Sequence, residues 1–302
     1  MNINKNKKSK DKIHITKYKI VYVFILFFLI QILSWYNNIF NKSIPNQNDD
    51  LTLVSAYYRV KSRHSYTDYL KWINNIVLLN KSIVFFTNKE LMGTLKALRP
   101  KELYYKTIFI ELEIKDFYSY KKFFKEFNKT FLVDIEHNIH SVPLFMIWAE
   151  KCMFLKKVIK KNYFNSKCFY WIDIGYFREN KNDMKKYLNN WPSTKKCYED
   201  NRLLLGQVKH FSDIDKKNII KFNYDAHISL QNNPNVAAGL FGGQIKNTLL
   251  FIELYYKIIK LFLKHKIFIG KEQNIFTYIA FAHPEIVKLV FSRDYYLKQY
   301  LS

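Results

Sequence analysis

Asp173 is a carboxylate placed where chemistry is common, because it lies near the end of the apolar segment FYWIDI, which reads as a buried strand. Its side chain would emerge at the sheet's carboxyl edge, where a hard cation such as Mg²⁺ or Mn²⁺ prefers carboxylate oxygen. Gly175 allows a ligand to approach the backbone closely, and Arg178 adds a cation nearby. The alternative is an ordinary Asp at a turn after a strand.

A second candidate segment follows the first predicted strand and carries Tyr57, Arg59 and Arg63. An aromatic face can stack a nucleotide base, and the guanidinium group of Arg can bind diphosphate oxygens. These residues are therefore predicted to bind the nucleotide part of a ligand. The alternative is a solvated basic loop.

Gly242 and Gly243 end a run of small residues, and they are predicted to let a substrate approach backbone N–H groups just before a helix. His283 is a weaker candidate, as a metal ligand, because a lone His is more often structural. The sequence has no GxGxxG, P-loop, GxSxG or HExxH motif, so the corresponding dinucleotide, NTPase, hydrolase and zinc-protease templates are disfavoured.

The elements that would position these residues alternate between strands and helices, which predicts an α/β fold with a mostly parallel sheet and helices on both faces. Strands are predicted at residues 51–57, 83–87, 107–111, 169–174, 202–208 and 236–241. Helices are predicted at residues 64–80, 89–98, 117–127, 141–161 and 245–265, and residues 272–290 are predicted to be mainly helical. Ligands of such folds bind at the carboxyl ends of the strands.

The N-terminal region has the pattern of a membrane anchor. Residues 1–19 form a Lys-rich tail, and residues 20–40 are apolar and long enough to span a bilayer. No small-residue cleavage site follows, so an uncleaved signal anchor is favoured over a signal peptide. The basic flank predicts a cytoplasmic tail, a stem at residues 41–50 and a domain at 51–302 on the lumenal or extracytoplasmic side, which is the type II arrangement (Golgi or ER in a eukaryote).

The net charge of +24, from 49 Lys and Arg against 25 Asp and Glu, raises the question of nucleic acid. Only six of the basic residues are Arg, and a phosphate-binding surface would favour Arg for its bidentate grip. Most of the charge is therefore interpreted as a solvated Lys coat, and no nucleic-acid partner is predicted.

The three cysteines, Cys152, Cys168 and Cys197, show no CxxC pattern and no zinc-ligand spacing. No disulfide framework is predicted, although a single Cys168–Cys197 bridge is left open.

Taken together, the motifs resemble the HtrL/YibB family. The resemblance is carried by AYYR around Arg59, IWAEK up to Lys151, WIDIGYFR around Asp173, AAGLFGG up to Gly243, and the Glu272–Gln273 pair. It covers residues 51–290, and it is most specific in the WIDIGYFR and AAGLFGG segments.

The resemblance implies a Rossmann-like glycosyltransferase domain of the GT-A type that binds a nucleotide-sugar, with a divalent metal (Mn²⁺ or Mg²⁺) and a glycan acceptor. Asp173 would stand where such enzymes carry a metal-binding Asp-x-Asp, but residue 175 is Gly, so only one carboxylate is present and a second ligand would come from elsewhere, such as His283. Arg59, Arg63 and Arg178 would hold the diphosphate, and Glu272 would deprotonate or orient the acceptor hydroxyl.

Two other classes stay open. A catalytically inactive member would keep the fold as a binding or scaffold protein of the secretory pathway. A basic nucleic-acid or anionic-lipid binder rests on the Lys coat alone and would bind with steep salt dependence.

Overall fold

The computed structural model describes residue 31, residues 50–291 and residues 297–302. The predicted tail, anchor and stem therefore lie outside the described residues, except for residues 31 and 50. Within the described part of the chain, none of the helices has both the length and the apolar character needed to cross a bilayer. The described fold lies within one compact unit of the chain, Gln47–Ser302.

The fold is built on one seven-stranded sheet, and its order is β3-β2-β1-β4-β6-β5-β7. The strands are β1 (Leu51–Tyr57), β2 (Ser82–Thr87), β3 (Thr107–Glu111), β4 (Cys168–Ile172), β5 (Leu203–Gln207), β6 (Val236–Gln244) and β7 (Val287–Phe291). Strand β6 runs antiparallel to both of its neighbours, and the other four pairings are parallel. The predicted mostly parallel sheet is confirmed.

Ten α-helices surround this sheet in the described residues. They are α1 (Tyr66–Ile76), α2 (Lys89–Leu98), α3 (Tyr118–Phe131), α4 (Val142–Lys161), α5 (Lys181–Met184), α6 (Thr194–Tyr198), α7 (Asp213–Ile220), α8 (Tyr224–Asn232), α9 (Ile245–Lys264) and α10 (Glu272–Ala282). Short 3₁₀ turns lie at Lys101–Lys106, Ile114–Asp116 and Lys185–Tyr187.

Alternating side chains of the strands fill two cores, one on each face of the sheet. In β1, Val54 packs into the core that also contains residues of α4, α9 and α10, whereas Leu53 packs into the core that contains residues of α1 and α2. In β4, Trp171 and Tyr170 divide between the same two cores. Helices therefore cover both faces, as the alternating pattern predicted.

The connectivity creates a crevice between β1 and β4. Strands β1, β2 and β3 follow one another towards one edge, and the chain then returns to place β4 on the other side of β1. The loops that leave β1 and β4 consequently diverge at their carboxyl ends, which is where open α/β sheets bind ligands. Strand β6 begins at this same edge, because Ile172 pairs with Leu240 in an antiparallel ladder.

The prediction that residues 272–290 are mainly helical holds for Glu272–Ala282, but α10 ends there, before Pro284, and β7 follows. A residue that precedes proline is disfavoured in helical geometry, so the helix stops there. The Cys168–Cys197 bridge that the sequence left open is present and joins the start of β4 to α6.

Candidate active site

A cleft at the carboxyl ends of β1 and β4 contains two adjoining cavities. The smaller one, of about 240 Å³, has an aromatic wall and is named here the aromatic cavity; its rings are Tyr57, Tyr58, Tyr69, Trp148, Trp171 and Tyr176. The larger one, of about 720 Å³, is named the polar cavity; its polar groups include Arg63, His64, Glu136, His140, Lys271 and Glu272. Lys151, Asp173, Arg178, Gly239 and Gln273 line both cavities.

Asp173 stands at the junction of the two cavities because it is the first residue after β4. Its backbone N–H donates to Gly239 O (2.7 Å), and its carbonyl accepts from Tyr176 N–H (2.9 Å) in the turn that follows. Trp171 Nε1 donates to Asp173 Oδ1 at 2.7 Å. The side chain keeps 39% of its surface exposed. The carboxylate is thus oriented by the strand that precedes it and remains open to the cleft.

Lys151 lies in the interior of α4, and its side chain is only 2% exposed. Its Nζ is 2.8 Å from Asp173 Oδ1, donates to Glu272 Oε1 at 2.6 Å, and donates to Ala238 O at 3.2 Å. An ammonium has three N–H donors, so these contacts use all of them. Burial lowers the pKa of Lys151, but the two carboxylates outweigh it and hold that pKa well above its ordinary value.

Glu272 opens α10 and is 6% exposed at its side chain. Burial raises the pKa of the Glu272 carboxyl, the Lys151 ammonium opposes this, and Asp173 adds to it. A buried carboxylate is costly unless it is paired, and Lys151 supplies the pair. The two predicted catalytic carboxylates are therefore brought together, with Lys151 between them.

The three predicted arginines have different surroundings. Arg178 lines both cavities, lies 4.1 Å from the Trp72 ring centroid and donates from Nε to Gly175 O (3.1 Å). Arg63 lines the polar cavity and pairs with Glu136 at 2.6 Å. Arg59 lines neither cavity; it lies over the Tyr66 ring at 4.6 Å, in a neighbouring depression. Tyr57, by contrast, contributes to the aromatic cavity.

Gly242 and Gly243 were predicted to let a substrate approach the backbone, but they lie inside β6 and line neither cavity. A Cβ on Gly242 would lie 2.1 Å from Phe169 O, so the backbone of β4 is what requires glycine there. The glycine of this segment that reaches the cleft is Gly239. A Cβ at that position would lie 3.3 Å from Asp173 Oδ2.

The donor groups at Asp173 do not fit a divalent metal. His283 lines neither cavity and contacts Glu285 Oε1 at 3.2 Å. Among the described residues, no group of three or more His, Cys, Asp and Glu side chains is arranged to hold a metal. Asp173 Oδ1 already accepts hydrogen bonds from Trp171 and an ammonium, and that positive charge would repel a second cation.

Sequence reasoning missed Lys151 as a site residue. The signal for it was a charged pair, Glu150–Lys151, within an otherwise apolar stretch of a helix. Both residues are buried there, and a buried Lys almost always has a partner. Trp148, one turn earlier on α4, and Gln273 were missed as well. All three side chains line the cleft from helices, whereas the predictions concentrated on loops that follow strands.

The fold and its cavities define an α/β protein with a cleft at the switch point of its sheet. The chain belongs to the HtrL_YibB family, whose model, described as "Bacterial protein of unknown function (HtrL_YibB)", matches residues 50–298. No curated protein matches the chain.

Proposed function

We propose that the chain is a membrane-anchored glycosyltransferase with a GT-A-like domain, which transfers a sugar from a nucleotide-sugar to a glycan or glycoconjugate acceptor. One observation carries this proposal: two cavities of different character meet at Asp173, at the switch point between β1 and β4. A transferase for two substrates needs two adjoining sites that share a reacting centre.

The aromatic cavity suits the donor nucleotide. Its rings offer faces for a base, and Arg178 and Lys151 line it as the cations for a diphosphate. Arg63 lies on the polar side and Arg59 outside both cavities, so Arg178 and Lys151 are the cations nearest to a diphosphate bound in the aromatic cavity.

The polar cavity suits a hydroxyl-rich acceptor, because charged and amide side chains line it and can bond to sugar hydroxyls. In the transfer, the bond between the anomeric carbon and the phosphate oxygen breaks and a bond to the acceptor oxygen forms. Asp173 takes the acceptor's proton, and the electron pair leaves with the nucleoside diphosphate, whose charge Arg178 and Lys151 stabilise. Glu272 also lines the polar cavity, but its Oε1 accepts from Lys151, so it is assigned the role of positioning Lys151.

The anchor predicted at residues 20–40 would place this domain on the lumenal or extracytoplasmic side. The Cys168–Cys197 disulfide supports that location, because disulfides persist mainly in oxidising compartments. Protease protection of sealed vesicles carrying the full chain tests this topology: a domain that is digested without detergent in cytoplasm-side-out vesicles would refute it.

The test of the function is a thermal-shift screen of the detergent-solubilised full chain with UDP-, GDP- and CMP-sugars, followed by a transfer assay with any donor that binds. Asp173→Asn should lose transfer, and its donor binding should weaken by about tenfold but stay measurable, because Lys151 loses one charged partner. Asp213→Asn, at an Asp with 86% exposure outside the cleft, should retain both. If no nucleotide-sugar stabilises the protein, the proposal fails.

A catalytically inactive binding protein is the second candidate. It is favoured by the burial of Glu272. Of the two predicted catalytic carboxylates, only Asp173 is then well exposed to a ligand in the cleft. This candidate predicts that the wild type and Asp173→Asn both bind the donor, and that neither transfers its sugar nor hydrolyses it.

A further inference from the structure

We propose that Lys151 is the cation of this site: its ammonium takes the place of a divalent metal, so the protein binds a nucleoside diphosphate without metal. This inference rests on the proposed function, since it concerns the diphosphate of the nucleotide-sugar donor.

The position of Lys151 supports this proposal. A metal that bridged Asp173 and Glu272 would have to lie between them, and Lys151 Nζ lies there, at 2.8 Å from one carboxylate and 2.6 Å from the other. The three residues come from three elements: the interior of α4, the loop after β4 and the first turn of α10. Protein atoms surround the ammonium, and the Lys151 side chain is only 2% exposed.

The balance of charge around Lys151 also supports it. Asp173 and Glu272 bring two negative charges, and Lys151 and Arg178 bring two positive charges, so the group sums to zero. A carboxylate pair that holds one divalent ion has the same balance. A diphosphate therefore meets the electrostatic conditions that a metal would provide, with Arg178 and Lys151 both lining the aromatic cavity.

The oxygen ligands left for a metal ion at Asp173 and Glu272 lead to the same conclusion. Mg²⁺ requires about six oxygen ligands in near-octahedral geometry. Asp173 Oδ1 accepts from both Trp171 and Lys151, and Glu272 Oε1 accepts from Lys151. Removing the ammonium would leave two carboxylates facing each other, which is the arrangement that attracts a divalent cation. Loss of the Lys151 ammonium should therefore create a metal site between the two carboxylates.

Calorimetric titration of UDP and GDP into the detergent-solubilised full chain, with EDTA or with Mn²⁺, tests the claim about binding. The wild type is expected to bind one of them equally well in both buffers. Lys151→Met should weaken binding in EDTA by about 30-fold, because the buried positive charge beside the diphosphate is lost. Lys160→Met, on an exposed Lys of the same helix, should leave it unchanged, and Lys151→Arg should retain most of it.

Electron paramagnetic resonance of added Mn²⁺ tests the second claim independently of nucleotide. The wild type should leave Mn²⁺ free in solution, and Lys151→Met should bind it at least about tenfold more tightly. A melting curve of each variant establishes that it is folded, and Lys151→Arg provides the folded comparison if Lys151→Met fails.

Nucleotide binding by the wild type that requires Mn²⁺, or stoichiometric Mn²⁺ binding by the wild type alone, would overturn this inference and leave the proposed function standing. Binding of neither UDP nor GDP in either buffer, together with no response to any nucleotide-sugar, would overturn the proposed function itself.

Discussion

Among the described residues, Arg99 and Lys151 are the most deeply buried cations, and their surroundings differ. Arg99, at the end of α2, is 1% exposed; it donates to Val77 O (2.6 Å), Leu79 O (2.9 Å) and Thr107 Oγ1 (2.8 Å). Lys151 is as deeply buried, but two of its three contacts are carboxylates, and it lines both cavities of the cleft, whereas Arg99 lines neither.

The difference lies in the partners of each cation and in its distance from a cavity. Neutral carbonyl and hydroxyl oxygens accept from the Arg99 guanidinium, which joins three chain segments to one another away from both cavities. Two carboxylates hold the Lys151 ammonium in its charged state at the wall of both cavities, so its positive charge acts on the space inside them. Burial of a charge alone therefore does not identify a site; its partners and its distance from a cavity do.

The largest effect is expected at Asp173, the partner that places Lys151 in the cleft. Asp173→Asn keeps the hydrogen bond from Trp171 to Oδ1 but removes the charge that would accept a proton. Transfer should fall by about 10²- to 10⁴-fold, the range for loss of a general base. A steady-state assay with the donor identified in the screen measures this, and Asp213→Asn is the control. Transfer that stays within tenfold of wild type would remove Asp173 from the mechanism.

Arg99→Met tests the other member of the pair. It leaves three buried acceptors without a donor, so the free energy of unfolding should fall by about 3 kcal/mol or more. The nucleotide dissociation constant of the folded fraction should not change. Urea denaturation and calorimetry on the same sample separate the two quantities. A weaker nucleotide affinity at unchanged stability would erase the contrast between the two cations.

The outline of the cleft was predictable because a strand can be recognised from its own local sequence. A short apolar run such as LTLVSAY indicates β1 by itself, and the residues after it must then lie at the carboxyl edge. The same reasoning placed Asp173 and Arg178 at that edge correctly. It could not show that β6 runs antiparallel, which is why Gly242 was assigned to the cleft and Gly239 was overlooked. Strand direction depends on pairing with distant segments, and a single strand's sequence does not encode it.

The bridge through Lys151 was not predictable from spacing. Lys151 and Glu272 are separated by 121 positions and meet only because α4 and α10 pack on the same face of the sheet. The disulfide between Cys168 and Cys197 is similar: with three cysteines in the chain, only the fold decides which two are adjacent.

A third prediction compares two buried glutamates on the same side of the sheet. Glu272→Gln should weaken UDP or GDP binding by about tenfold, because Lys151 loses a charged partner and its position. Glu150→Gln is the matched control: Glu150 is fully buried as well, but it accepts from Tyr118 N–H (3.0 Å) and Ser119 N–H (2.8 Å) at the start of α3. It should lower the melting temperature and leave affinity unchanged. Equal effects of the two variants on affinity would mean that Glu272 has only a structural role.

The smallest effect is expected at Arg63, the predicted diphosphate ligand that the fold places on the polar side of the cleft. Its side chain is 62% exposed and pairs with Glu136, which also contacts Lys271. Exposed ion pairs contribute about 0–1 kcal/mol, so Arg63→Met should change stability and nucleotide affinity little, by about threefold at most. Arg178→Met, at an arginine shared by both cavities, should weaken nucleotide binding clearly more. Calorimetry on the two variants ranks them. If Arg63→Met has the larger effect on nucleotide affinity, the diphosphate lies in the polar cavity, and the assignment of donor and acceptor to the two cavities must be exchanged.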